Sequence, residues 1–217
     1  NRKVEGRELD ILDALEEVAA QNRKLPDNLP IPASGIGFLG YEFVRRCDRV
    51  SLAKKPDATG LDEAEFMVGH TSIIFDHYTD TIHLAGLNYA EHSIDLEAEI
   101  ARIKQRLGDL DFSYLAPPNE QSTFTIVSDE ALERDIFIKG VQEIRKEIRA
   151  GNLLQAVLSR RLLATSKLDP LEAYRRLRSA SPSPYLFYID FSSYTILGSS
   201  PESLIRLKSG KASIRPI

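Results

Sequence analysis

A chain of 217 residues with 42% hydrophobic and 28% charged residues is long enough for one sizeable core or two small ones, and its net charge of -4 is spread too evenly to form a nucleic-acid-binding face. A single cysteine, Cys47, excludes an internal disulfide and fits a reducing cytoplasm. No apolar run approaches the roughly 20 residues needed to span a bilayer, and residues 1–6 lack the apolar core of a signal peptide, so a cytoplasmic protein without a membrane span is expected.

Leu9, Ile11, Leu12, Leu15, Val18 and Ala19 recur at helical spacing and predict an amphipathic helix over residues 8–24, before a proline-rich linker at 26–32. Gly35, Gly37 and Gly40 then allow close backbone approach, and residues 41–46 read as the start of a helix. A polar, mobile loop is expected up to Glu65. β-Branched and aromatic residues over 66–76 and 81–89 flank His77-Tyr78-Thr79-Asp80 and predict a hairpin, with a helix at 94–107 to pack on it. Residues 123–127 predict a strand, and Ser128 can cap a long helix that Gly151 terminates. From Leu153 to Leu163 both faces carry apolar residues, which predicts a strand buried in the middle of a sheet. Asp169-Pro170 is an N-cap followed by a first-turn proline, opening a helix to about residue 177. Strands are predicted at 184–191, 194–198 and 204–207, with a turn at Ser209-Gly210 into a last strand at 212–215. Hairpins mixed with long helices, without regular strand-helix alternation, define an α+β fold with mixed or antiparallel sheets flanked by helices.

Gln155, Ser159 and Arg161 are spaced by two and so share one face of the predicted central strand. Burial of an arginine and a glutamine requires partners, so that face is either a polar cavity or a structural network. In Gly198-Ser199-Ser200-Pro201-Glu202 a strand end, two hydroxyls and a proline precede a carboxylate. Glu202 is either an acid or base held by a rigid turn, or a turn carboxylate that accepts backbone hydrogen bonds. His70, His77, His83 and His92 lie in or beside the first hairpin without metal-ligand spacing, and Cys47 reads as an ordinary helix-end cysteine. The glycines at 35, 37 and 40 match neither a phosphate loop nor a dinucleotide fingerprint.

Gln155-Ala156-Val157-Leu158-Ser159-Arg160-Arg161, Ser181-Pro182-Ser183-Pro184-Tyr185-Leu186-Phe187-Tyr188, Gly198 to Glu202 and Ile214-Arg215-Pro216-Ile217 resemble, in order and spacing, the chorismate-binding enzyme family. Upstream, Gly37-Phe38-Leu39-Gly40-Tyr41-Glu42-Phe43-Val44-Arg45 resembles a segment of anthranilate synthase large subunits, the branch this chain resembles most. The resemblance covers essentially the whole chain and implies an incomplete α/β/β/α sandwich. Residues 1–125 correspond to the N-terminal region and 126–217 to the start of a truncated catalytic domain. The chain lacks an initiator methionine and stops directly after a strand-like segment, so both termini read as cuts.

The resemblance implies a lyase reaction in which magnesium-bound chorismate accepts ammonia at C2, loses its C4 hydroxyl and eliminates pyruvate to give anthranilate, in tryptophan biosynthesis. Glu202 matches the acid that protonates the leaving hydroxyl, and Gln155 and Ser200 are substrate-pocket candidates. Relatives that add water to chorismate carry a lysine base at the position of Gln155, so glutamine there argues against isochorismate formation. Pro184, Tyr185 and Leu186 match half of a tryptophan feedback site, and the other half would precede Asn1. The implied partners are chorismate, a glutamine amidotransferase subunit and tryptophan, and the Mg2+ ligands are expected downstream of Ile217, with none in this segment. Aminodeoxychorismate synthase is the alternative, decided by the residue after Ile217; Ser159-Arg160-Arg161 leans toward anthranilate synthase. A further alternative is a non-catalytic partner-binding fragment, and the 217 residues alone are expected to be inactive.

Overall fold

The computed structural model describes residues 3–4, 7–8, 10–22, 24–26, 29–53, 59–109, 111, 123–208 and 210–215. The chain divides into two compact units, one of residues 1–113, 189–196 and 203–217, the other of residues 114–188 and 197–202. Helices alternate with two-stranded antiparallel ladders, the α+β class expected from the mixture of hairpins and long helices.

In the first unit, β1 (Lys3–Val4) pairs with β2 (Arg7–Glu8). The predicted amphipathic helix is α1 (Ile11–Ala20), begun by a reciprocal capping box between Asp10 and Asp13. β3 (Ile36–Leu39) pairs with β4 (Ala64–Met67), and between them a 3-10 turn at Tyr41–Phe43 runs into α2 (Val44–Cys47). Gly37 provides the close approach its residue type suggested, since a Cβ there would lie 2.0 Å from the Glu65 carbonyl oxygen. Cys47 is exposed at the end of α2. Of the polar loop expected before Glu65, residues 54–58 lie outside the described residues.

The first predicted hairpin is shorter than its apolar run. Its strands are β5 (Thr71–Asp76) and β6 (Thr81–Gly86), while Phe66 and Met67 pair with β3 instead. Asp76 closes the turn by accepting from the Tyr78 and Thr79 N–H groups, the Asx-turn chemistry that lets Asp80 adopt a φ of 53°. The predicted packing helix is α3 (Leu96–Gly108), capped by Asp95, and it lies against the hairpin so closely that a Cβ on Gly86 would meet the Leu96 and Ile100 side chains at 3.1 and 3.3 Å. The most deeply buried hydrophobic residues among those described are Phe43, Leu87, Tyr89 and Ile189, all in this unit.

In the second unit, β7 (Phe124–Ile126) pairs with β8 (Ala164–Ser166), and α4 (Glu130–Arg149) lies between them in sequence. The cap of α4 is Asp129, not Ser128. Ser128 is taken by a long-range partner, since its Oγ accepts from the Leu163 N–H at 2.7 Å. Gly151 ends the helix as expected, with φ at 81°.

The buried central strand predicted for 153–163 is not formed. This stretch has no ladder; Leu154 is fully exposed and Val157 is 89% exposed. A strand with apolar residues on both faces needs cover on both and partners for its backbone. Among the described residues the ladder begins only at β8, and the clearest packing contact is Leu158 against Gly140 of α4. Downstream, α5 (Pro170–Ala180) follows the Asp169 cap as predicted, and β9 (Tyr185–Asp190) pairs with β10 (Thr195–Ser200). β11 (Arg206–Lys208) pairs with β12 (Lys211–Ser213) around a turn in which Ser209 lies outside the described residues. No described helix is long and apolar enough to cross a membrane.

Candidate functional site

The two motifs read as effector-like and catalytic come together in one hairpin. Pro184 immediately precedes β9, Tyr185 and Leu186 open it, and Gly198, Ser199 and Ser200 close β10, its paired strand. Pro184 and Tyr185 are exposed and Leu186 is half-buried.

Local sequence explains how this end of the hairpin is built. Asp169 Oδ1 accepts from the Leu171 and Glu172 N–H groups, Pro170 supplies a helical φ at the first turn, and the resulting α5 carries Tyr174 alongside Tyr188 of β9, with ring centroids 5.8 Å apart. On the next strand Gly198 faces the Phe187 ring; a Cβ at 198 would lie 2.3 Å from Phe187 Cζ, so only glycine fits without displacing that ring.

The residues after Gly198 each do something different. The Ser199 hydroxyl donates to the Ser181 carbonyl at 2.6 Å, joining the end of β10 to the C-cap of α5. The Ser200 hydroxyl donates to the Glu202 carbonyl at 3.0 Å and accepts from the Glu202 N–H at 3.4 Å. Both contacts of Ser200 are therefore to the backbone of the residue that follows Pro201, and they fold the strand end into a tight turn. Glu202 is exposed at that turn, and among the described residues no hydrogen bond or ion pair is made to its carboxylate.

Gln155, Ser159 and Arg161 are exposed in the stretch that lacks a ladder, and among the described residues no hydrogen bond joins them to Ser200 or Glu202. The Ser199–Ser181 bond and the Phe187–Gly198 packing were not visible in the sequence, although a Gly-Ser-Ser strand end has the small, hydroxylated residues that such contacts use. Another pairing that the sequence did not disclose joins His70 and His92, whose Nε2 and Nδ1 atoms are 2.9 Å apart, while His70 Nδ1 lies 2.9 Å from the Leu87 carbonyl. Among the described residues no group of three or more His, Cys, Asp or Glu side chains is placed to hold a metal ion.

With this hairpin and its turn in place, the α+β chain belongs to the chorismate binding enzyme family, whose pattern matches residues 1–217. It is 44% identical over 216 residues to the anthranilate synthase component 1 of Spirochaeta aurantia, covering 99% of this chain and 45% of that protein. The corresponding protein of Acetivibrio thermocellus is 30% identical over 227 residues, covering 100% of this chain and 45% of its own. A crystal structure of anthranilate synthase component I from Streptococcus pneumoniae TIGR4 superposes with a TM-score of 0.68 at 29% identity, over 93% of this chain and 46% of that one. The chain thus spans about half the length of the curated relatives it matches.

Proposed function

We propose that this chain is part of an anthranilate synthase large subunit, a lyase that converts chorismate and ammonia to anthranilate and pyruvate in tryptophan biosynthesis. The observation that carries this reading is the 44% identity over 99% of the chain to a protein named anthranilate synthase component 1. The geometry of the Ser-Pro-Glu turn supports it. Departure of the C4 hydroxyl requires a proton, and Glu202 offers a carboxyl group on a constrained turn without a competing partner among the described residues. Protonation by Glu202 releases the hydroxyl as water, and elimination of pyruvate then yields the aromatic ring. Gln155, a poor base, is consistent with ammonia rather than water as the nucleophile.

The same reading includes a cytoplasmic location, a glutamine amidotransferase subunit as the source of ammonia, and tryptophan at Pro184, Tyr185 and Leu186 as feedback inhibitor. Magnesium belongs to the reaction implied by the resemblance, and its ligands are expected outside the described residues, among which no group of three or more His, Cys, Asp or Glu is placed to hold a metal ion.

The test is a product assay on the full-length protein with chorismate, magnesium and ammonium. Anthranilate is the expected product, and aminodeoxychorismate or isochorismate would overturn the assignment. The 217-residue chain by itself is expected to make none, and turnover by it would show that the essential residues are all present here.

A further inference from the structure

We propose that Ser199 is the positioning residue for Glu202, acting through its hydrogen bond to the Ser181 carbonyl; this rests on the reading of Glu202 as the acid. Because the Glu202 carboxylate has no partner of its own among the described residues, the turn at 200–202 fixes only where its side chain leaves the backbone. Ser200 cannot anchor that turn, since both of its hydroxyl contacts go to Glu202 itself. They fix the internal shape of the turn, while its placement comes from outside it, from the pairing of β10 with β9 and from the Ser199 contact.

Side chains alternate along a strand, so Ser199 points away from the face that carries Gly198 and Ser200. Its hydroxyl reaches the carbonyl of Ser181 at 2.6 Å, within the normal range for O–H···O. Ser181 is a firm acceptor. It is the C-cap of the 11-residue α5, and its own N–H donates to Leu177 O at 2.8 Å. Carbonyls at a helix end have no intrahelical donor, and the Ser199 hydroxyl supplies one. The turn that bears Glu202 is thereby registered to a helix rather than to a loop. Displacing a catalytic group by about 1 Å costs on the order of 100-fold in rate, so a single anchoring hydrogen bond has a measurable effect.

The test uses the full-length protein with chorismate, ammonium and magnesium. Ser199→Ala is expected to lower kcat by about tenfold or more while the KM for chorismate stays within about twofold, the mark of a lost transition-state interaction. Ser199→Thr, which keeps the hydroxyl, retains most of the turnover. Ser199→Val, of the same shape as threonine, behaves as the alanine variant does, and this second pair decides the matter if Ser199→Ala does not fold. In a Glu202→Gln background Ser199→Ala adds no further loss, because the group it positions is already absent. Wild-type turnover in Ser199→Ala, equal loss in the Thr and Val variants, or an undiminished second loss in the Glu202→Gln background would each overturn the proposal. Wild-type turnover in Glu202→Gln alone would remove the acid assignment itself, whereas a slow Glu202→Gln beside a normal Ser199→Ala removes only the positioning role.

Discussion

Tyr194 donates its phenolic hydrogen to Oε2 of Glu65, 129 positions earlier in the chain. Glu65 lies directly across the β3–β4 ladder from Phe38, and the Phe38 ring meets Phe191 edge-on, with centroids 5.8 Å apart and planes at 78°. One cross-strand pair therefore holds both ends of the turn that closes the β9–β10 hairpin. The rings of Phe191 and Tyr194 are themselves 5.1 Å apart, so the three aromatic groups form a continuous cluster.

This arrangement has a signature at alkaline pH. Loss of hydration, then the hydrogen bond and charge of Glu65, then the charge of Asp62, push the Tyr194 pKa up from 10.0 to about 12. Between those values the folded chain keeps a proton that the unfolded chain has lost. The contribution to stability is therefore complete below about pH 10 and is lost as pH rises through about 12. Denaturant unfolding of the wild type and Tyr194→Phe should show a stability difference that shrinks over that interval. In a spectrophotometric titration Glu65→Gln should lower the Tyr194 pKa without returning it to 10.0, because the loss of hydration remains. A wild-type tyrosine set that titrates entirely near 10 would contradict the arrangement.

Gly37→Ala is expected to destabilise the protein by about 3 kcal/mol. The new Cβ would lie 2.0 Å from the Glu65 carbonyl oxygen and 2.6 Å from Phe66 Cα, both backbone atoms that cannot swing aside. The ladder must separate there, and the carboxylate that holds Tyr194 moves with it. Gly108→Ala is the control, since a Cβ at that helix end meets nothing within 4 Å; a change of about 0.5 kcal/mol or less is expected. Equal losses in the two variants, measured by equilibrium denaturation, would mean that the close approach at Gly37 is not what is being read.

Helices and hairpins were legible in the sequence wherever a local signal decides the structure. The Asp169-Pro170 pair opens α5 as its chemistry dictates, and Gly151 ends α4. Local reading failed where distant residues compete. Ser128 is as good a cap as Asp129, but Leu163, 35 positions away, takes its hydroxyl. Residues 153–163 carry the composition of a buried strand, and composition cannot state whether neighbouring strands and covering faces are at hand. The candidate site divides the same way. The turn motif marked Glu202 as a candidate and left its role open, the acid role being what the family resemblance implies, while the bond from Ser199 to Ser181 spans 18 positions and depends on how β10 meets α5.

The start of α1 offers a separation of two electrostatic effects. Asp10 Oδ1 accepts from the Ile11 N–H at 2.6 Å and from Arg46 at 2.8 Å, while Arg46 also makes two contacts to Glu63 at 3.0 and 3.2 Å. Asp10→Ala removes the cap and the ion pair together and should cost about 1–2 kcal/mol. Asp10→Asn keeps a capping oxygen and should recover most of that, because a half-exposed ion pair contributes little and Arg46 retains Glu63. Thermal unfolding of the two variants checks the order. An asparagine variant as unstable as the alanine one would assign the effect to charge instead.

The C-terminal end of α4 is closed by a glycine in the left-handed region. Asn152 N–H donates to the Glu147 carbonyl at 3.0 Å and Gly151 N–H to the Ile148 carbonyl at 3.1 Å, the bond pair of a Schellman cap, with Gly151 at a φ of 81°. A Cβ at this position would meet nothing within 4 Å, so the penalty for a side chain comes from backbone conformation alone. Gly151→Ala should therefore cost about 1 kcal/mol, and Gly151→Asn less, since asparagine enters the left-handed region more readily. The comparison isolates conformation from packing. Denaturant midpoints in the order glycine, asparagine, alanine support the left-handed cap, whereas an alanine variant as stable as the wild type would mean that the chain leaves α4 by another route, carrying residues 153–163 with it.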